Sequence, residues 1–302
     1  MRKNVVQCIE DNGEVYSDGT YRLKTKGLLA EMVKVGIDIG GSTTKIVGFR
    51  DRELIAPISV KADDPITSIY GALGRFTTEN RFSLEDIDKL MVTGVGASFI
   101  GDSLYSRPCV HLGEFECVAR GGLYLSGLDR AVIVSMGTGT AIVYSQVNGE
   151  YEYLGGTGVG GGTLSGLSKI TLGMNNIDHI DALAMEGNLG NIDLTVGDMS
   201  TGKKLDLPGS MTAANFGKIS DLADKPDIAK GIINMIFETV GMMSIFAARK
   251  HNINDIVLIG QLSTLACAKP IFDGLSKMFN VNFVIPPLSA FGTVIGAGLK
   301  ED

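Results

Sequence analysis

The chain has 302 residues, 44% of them hydrophobic and 20% charged, with a formal net charge of −7. A disordered chain is excluded by that balance, and the acidic surplus removes any electrostatic reason to expect nucleic acid or an anionic membrane as a partner. An anionic ligand must therefore be held locally, by backbone amides, a lysine or a metal. Single cores stop growing at about 250–300 residues, so two lobes of similar size are expected. The four cysteines, Cys8, Cys109, Cys117 and Cys267, are scattered without a Cys-x-x-Cys pair. They suggest a reducing cytoplasm rather than a zinc site or a disulfide framework. No apolar run is expected to span a membrane, and the polar N-terminus does not read as a signal peptide.

Residues 1–31 read as a polar extension with a turn at Ser17-Asp18-Gly19, and its deletion is expected to leave activity intact. Met32 stands immediately before the first strand. The stretch from Val35 to Val47 then runs apolar strand, Gly40-Gly41-Ser42-Thr43 turn, apolar strand. This is the layout of a phosphate-holding hairpin. Its glycines let backbone N–H groups approach an anion, Asp38 ends the first strand where a carboxylate can hold Mg²⁺, and Lys45 adds a compact positive charge.

A strand at 54–60 and a helix at 65–78 follow, the helix opened by Asp63-Asp64-Pro65. Ser83 to Asp86 leads to a strand at 89–93, and the glycine turn Gly94-Val95-Gly96 leads to an expected helix at 97–103. The alternation implies an α/β fold with a mixed sheet. Glu114 opens a further helix reaching about Ser126, where an acidic residue suits the helix dipole and a carboxylate is also available for chemistry.

From Ala131 to Tyr144 the opening design recurs, apolar strand, Gly137-Thr138-Gly139 turn, apolar strand. Two such hairpins, each starting a lobe, make a nucleotide cleft. The densest glycine run, 155–162, enters a helix at about residue 163, an arrangement that turns amides and the positive helix end toward a phosphate. Helices at 178–186 and 226–251 are predicted next, with loop-like stretches at 192–198 and 208–217 between them. A strand at 255–259, Gly260-Gln261-Leu262-Ser263, a strand at 282–285 and a small-residue helix at 291–298 close the chain. Gly260 would let an adenine ring lie near the backbone.

Taken together, these motifs resemble the actin, hexokinase and heat-shock ATPase superfamily, and within it the type II pantothenate kinases, from about Val33 to Leu299. The segments that carry the resemblance are 35–41, Glu114-Phe115, 137–140, 155–162, 193–196 and 211–217. It implies a two-lobed actin-like ATPase fold of duplicated ribonuclease H-like domains, divided at 32–130 and 131–302 with the nucleotide between. It also implies ATP- and Mg²⁺-dependent phosphorylation of pantothenate, the first step toward coenzyme A, by a cytoplasmic homodimer. Coenzyme A or an acyl-coenzyme A is a further candidate ligand.

On this resemblance Glu114 is the base and Asp38 the metal ligand. The ATP contacts map onto Asp38, Ile39, Gly40, Gly41, Ser42, Thr43, Thr44, Lys45, Thr138, Gly161, Gly162, Thr163, Leu164 and Ser165, and the turn after the 255–259 strand adds Gly260 and Gln261 as candidates on the adenine side. One position departs from the family, which carries arginine just before the glycine run where this chain has Tyr153. Either Arg107 or Arg120 compensates or the acceptor differs. The alternatives are a kinase of another small alcohol such as an amino sugar, a nucleotide- or coenzyme A-binding sensor, and an ATP-hydrolysing activator. The scattered cysteines speak against the last, whose relatives bridge an iron–sulfur cluster.

Overall fold

The structure is a computed structural model that describes residues 13–15, 21–23, 32–50, 53–61, 64–200 and 208–300. Strands β1 (Gly13–Val15) and β2 (Tyr21–Leu23) pair antiparallel. The turn expected at 17–19, and most of the extension to which it belongs, lie outside the described residues.

The first sheet begins with β3 (Val33–Ile39), β4 (Thr43–Arg50) and β5 (Glu53–Lys61), antiparallel in that order. Helix α1 (Pro65–Asn80) starts where the Asp64 carboxylate accepts the Thr67 N–H at 2.7 Å, and it ends at Arg81 in the left-handed region. Its Ile69, Ala72, Leu73 and Phe76 fall at helical spacing and are buried with the sheet residues Val35, Ile37 and Ile46. Strand β6 (Ile87–Thr93) lies parallel beside β3.

In place of the helix expected at 97–103 there is a 3₁₀ turn, Val95–Phe99, followed by β7 (Ser103–Leu104) and β8 (Arg107–His111). The reason is local. Gly101 and Asp102 interrupt a segment too short to sustain a helix, and Ile100 and Leu104 are buried from extended backbone on either side of them. Tyr105 and Ser106, both left-handed, turn β7 into β8, which pairs parallel with β6.

Helix α2 (Glu114–Ser126) leads to the second sheet, built from β9 (Arg130–Met136), β10 (Thr140–Gln146) and β11 (Tyr151–Thr157). Helices α3 (Gly161–Leu172) and α4 (Ile177–Met185) follow, then the short pair β12 (Leu194–Thr195) and β13 (Thr212–Ala214). Helix α5 (Lys225–Lys250) is capped by Asp224, which accepts the Asp227 N–H at 3.2 Å. Strand β14 (Asp255–Ile259), helix α6 (Ala268–Phe279), strand β15 (Asn282–Val284) and helix α7 (Gly292–Gly298) complete the chain.

By length and composition α5 could cross a membrane, contrary to the expectation that no run would. It is the core helix of its lobe instead: Ile232, Ile233, Ile236, Phe237 and Val240 are all buried, which is why it is apolar around much of its circumference.

The two sheets share one plan. The first runs β5-β4-β3-β6-β8, with β7 at its edge, and the second runs β11-β10-β9-β14-β15. In each, three antiparallel strands adjoin two parallel ones. Helices α2 and α7 cross in close backbone contact, since a methyl group on Gly121 or Gly296 would overlap the other helix's main chain. Helix α7 also packs on β3, where a methyl on Gly36 would stand 2.5 Å from the Val294 carbonyl oxygen.

Candidate active site

The register of the first hairpin sets Asp38 opposite Lys45 on β4 and, on its other side, beside Thr93 on β6. The turn is closed by Gly40 N–H donating to the Thr43 carbonyl at 3.0 Å. Lys45 is almost wholly buried, and its Nζ donates to the Ala290 carbonyl at 2.6 Å. Burial pushes the Asp38 carboxyl up to about 6, with Lys45 opposing the rise and Glu114 adding to it. For Lys45 burial lowers the pKa and Asp38 opposes the change. Asp38 and Lys45 are thus a desolvated pair that a polyanion and its cation could complete.

Glu114 reaches this place through β6. Leu112 N–H donates to the Val92 carbonyl at 2.9 Å and Thr93 Oγ1 donates to the Leu112 carbonyl at 3.1 Å, which anchors the entry to α2 at the end of the strand beside Asp38. Glu114 is exposed as a residue, yet the protein packed around its carboxyl desolvates it and raises its pKa above the ordinary 4.5. Burial dominates the rise at Asp38, and the charge of Glu114 is its smallest cause.

Gly94 belongs to the site but was read from the sequence only as a turn. Its φ of +90° is a backbone that favours glycine, and a methyl there would stand 2.5 Å from Asp38 Oδ1. The signal in the chain was a glycine directly after a strand. Its meaning required knowing that β6 lies next to β3.

The second hairpin faces the first, a methyl on Gly41 falling 3.8 Å from Thr138 Oγ1. The glycine run is folded onto this hairpin. Gly161 N–H donates to the Gly137 carbonyl at 2.9 Å and Gly162 N–H to the Thr138 carbonyl at 2.8 Å, so both amides are engaged with protein. Thr163 Oγ1 donates to the Gly158 carbonyl, Ser165 Oγ to the Asn175 carbonyl, and Leu164 is buried in the lobe's core. The visible role of these glycines is therefore close backbone packing around Thr138.

Gly260 and Gln261 follow β14 at the same edge. Gly260, with φ of +91°, approaches Met136 so closely that a methyl would stand 2.5 Å from its carbonyl oxygen. Its N–H donates to the Ser289 carbonyl at 2.9 Å, one residue before the Ala290 carbonyl that accepts from Lys45. Both hairpins, Glu114 and Gly260 are in this way drawn together.

Neither arginine weighed as a substitute at position 153 is available there. Arg107 donates to the Ile87 carbonyl at 3.4 Å, at the opposite end of β6 from Thr93. Arg120 donates to Glu116 at 2.6 Å and to the Gly296 carbonyl at 3.0 Å. It faces a separate concavity of about 770 Å³ whose lining includes Lys34, Tyr124, Tyr151 and Lys300 but neither Asp38 nor Glu114.

Among the described residues no group of three or more His, Cys, Asp or Glu side chains is placed to hold a metal. The carboxylate of Asp38 suits Mg²⁺ all the same, because that ion is commonly held by one or two carboxylates together with water and substrate phosphates.

A family model described as Fumble matches residues 130–269. A type II pantothenate kinase of Bacillus anthracis is 33% identical over 235 residues, covering 75% of this chain and 82% of that protein. One from Bacillus cereus (strain AH820) is 31% identical over the same shares. The chain belongs to the type II pantothenate kinase family. Among solved structures, the activator of 2-hydroxyisocaproyl-CoA dehydratase from Clostridium difficile with bound ADPNP aligns with a TM-score of 0.64 at 17% identity, over 89% of this chain and 93% of that one. The ROK hexokinase of Thermus thermophilus aligns with a TM-score of 0.54 at 13% identity, over 89% and 98%. These likenesses bear on fold, and they bear out the two-lobed ATPase architecture expected from the sequence. The three described cysteines sit apart, on β8, on α2 and just before α6, with Cys117 and Cys267 buried.

Proposed function

We propose that this kinase uses ATP to phosphorylate pantothenate. The observation that carries the reading is the meeting of Asp38, Lys45 and Glu114 at one turn faced by a second hairpin, in a chain of this family. In the proposed reaction the acceptor hydroxyl gives its proton to the Glu114 carboxylate while its oxygen bonds to the γ-phosphorus. The bond from that phosphorus to the β,γ-bridging oxygen breaks, and ADP leaves. Lys45 and the Gly40–Thr43 turn neutralise phosphate charge, and closure of the lobes excludes water as a competing acceptor. Asp38 would hold Mg²⁺, which would supply positive charge against the phosphates. Burial alone disfavours the ionised form of this carboxylate, and a cation beside it would favour that form.

The same reading takes the enzyme to be a cytoplasmic homodimer with coenzyme A or an acyl-coenzyme A as a further ligand, and here it rests on the family alone. The deciding experiment is ADP release with Mg·ATP in the presence and absence of pantothenate. Release should depend on pantothenate. Release driven by an amino sugar instead, or undiminished without any acceptor, would replace this reading. Glu114→Gln should lower kcat by about 10²- to 10⁴-fold with ATP binding retained. Because the base works ionised and its pKa is raised, wild-type kcat should fall on acidification at a pH above the ordinary carboxylate range.

A further inference from the structure

The concavity of about 770 Å³ that Arg120 faces lies at the far end of both sheets from the phosphate hairpins. Lys34 lines it near the start of β3, about 13 Å along the strand from Asp38. Ser145 and Tyr151 line it from the turn that joins β10 to β11, at the other end of β10 from Thr140. Between these walls runs one face of α2, carrying Glu116, Ala119, Arg120, Leu123 and Tyr124 at helical spacing. Three cations, Lys34, Arg120 and Lys300, stand in the lining against two carboxylates, Glu116 and Asp129. Arg120 and Lys300 donate to the same oxygen, Glu116 Oε1, at 2.6 and 2.8 Å, so one carboxylate serves both. Lys34 is partly buried and makes no hydrogen bond or ion pair among the described residues. Phe49 pairs with Lys34 across β3 and β4 and meets Tyr124 edge-on, with ring centroids 6.3 Å apart. Tyr124 and Tyr151 are nearly half exposed.

We propose that this concavity is a second ligand site, separate from the kinase centre, for a small organic anion with an apolar body. Its charged end meets Lys34 and its body lies against Phe49, Tyr124 and Tyr151. The volume suits a ligand of that size, the unpaired lysine and the cationic surplus set the sign of its charge, and the rings set the character of its body. The walls come from both sheets and from α2 and α7, the helices in close backbone contact at Gly121 and Gly296, so a molecule seated there touches both lobes at once. The concavity is open in a form whose hairpins already face each other across Gly41 and Thr138. A ligand that fills it favours that form, and its binding and that of the nucleotide strengthen each other.

The test uses two fluorescent probes on the full chain: 8-anilinonaphthalene-1-sulfonate, an aromatic body with one anionic group, and N-phenyl-1-naphthylamine, the same body without the charge. The sulfonate should bind once per chain, and the uncharged amine about tenfold more weakly. Lys34→Met keeps the alkyl stem and should weaken the sulfonate about tenfold, the size of one charge-assisted hydrogen bond, while leaving the amine unmoved. Tyr151→Ala should weaken both probes severalfold, with urea midpoints checking that each variant folds. Saturating Mg·ATP, its own binding read by calorimetry, should tighten the sulfonate about fivefold or more. Equal binding of the two probes, sulfonate binding unmoved by Lys34→Met at a wild-type urea midpoint, or displacement of the sulfonate by Mg·ATP overturns the site. A sulfonate affinity indifferent to bound Mg·ATP overturns the linkage. Binding that weakens as protein concentration rises, or that emerges only once residues 1–31 are removed, gives the concavity to a second copy or to the chain's own extension and overturns the proposal. No arm contains an acceptor, so these outcomes are independent of the pantothenate reading.

Discussion

The two glycine hairpins have the same sequence plan and the same place in their sheets, yet they differ in what they offer a ligand. In the first, the cross-strand pair at the turn end is Asp38 opposite Lys45. The matching pair in the second is Ser135 opposite Ala141. Each hairpin is abutted by a glycine from the adjoining parallel strand, Gly94 with φ 90° and ψ 168°, and Gly260 with φ 91° and ψ 170°. Backbone geometry is thus duplicated while charge is not. The first hairpin supplies electrostatics, and the second supplies a close-packed backbone wall sealed by the glycine run.

That contrast is broken most severely by removing charge from the first hairpin. Asp38→Asn should lower turnover by a factor on the order of a hundred or more, as loss of a preorganised electrostatic group commonly does. Its effect on stability should have the opposite sign. The folded Asp38 pKa of about 6 lies above the ordinary 3.8, so between those values the folded protein binds more protons than the unfolded chain. Stability of the ligand-free enzyme should therefore decline as pH rises through that window, by a few kcal/mol at most (about 1.4 per pKa unit). The asparagine variant escapes this decline. Thermal midpoints of the ligand-free proteins should nearly coincide at pH 4 and separate in favour of Asp38→Asn at pH 7.5. A variant destabilised equally at both values would mean that the Lys45 pairing outweighs desolvation.

The hairpins were legible in the sequence because their determinants are local: alternating apolar residues, small turn residues and a change of period. The helix start at Asp64 and the small-residue helix at the end were legible for the same reason. The approach of Glu114 to Asp38 is different in kind. It depends on β6 lying parallel to β3 and on the Thr93–Leu112 hydrogen bond, neither of which leaves a trace in residue spacing. Gly94 was visible as a turn but not as a neighbour of Asp38. The 97–103 segment was misread because its apolar Ile100 and Leu104 answer to the core from extended backbone rather than from a helical face. The glycines at 161 and 162 mark a close backbone approach, but a glycine does not say whether it approaches a ligand or a neighbouring turn. Here Gly137 and Thr138 accept their hydrogen bonds.

The second hairpin tests the steric half of the contrast. A methyl on Gly160 would lie 2.7 Å from the Thr138 carbonyl oxygen and 2.8 Å from Gly139 Cα, with no flexible side chain able to yield. Gly160→Ala should destabilise the fold by about 1–3 kcal/mol, the usual range for overpacking. Gly158→Ala, two residues earlier in open space, should change stability little. Urea titration of both variants measures the difference, and equal effects would show that the run is a flexible lead rather than a seal.

The smallest expected effect lies in the hydrogen bond that joins the run to the strand. Thr140 is 5% exposed, and its Oγ1 donates to the Val159 carbonyl at 2.8 Å. Thr140→Val keeps the shape, removes the donor and leaves that carbonyl without this partner, which should cost about 1 kcal/mol in the same titration. Because Thr140 carries no charge toward the ligand, kcat should stay within severalfold of wild type while KM for ATP rises modestly. A fall in kcat as large as that of Asp38→Asn would mean that the second hairpin, too, acts on the transition state, and the division between an electrostatic and a steric hairpin would not stand.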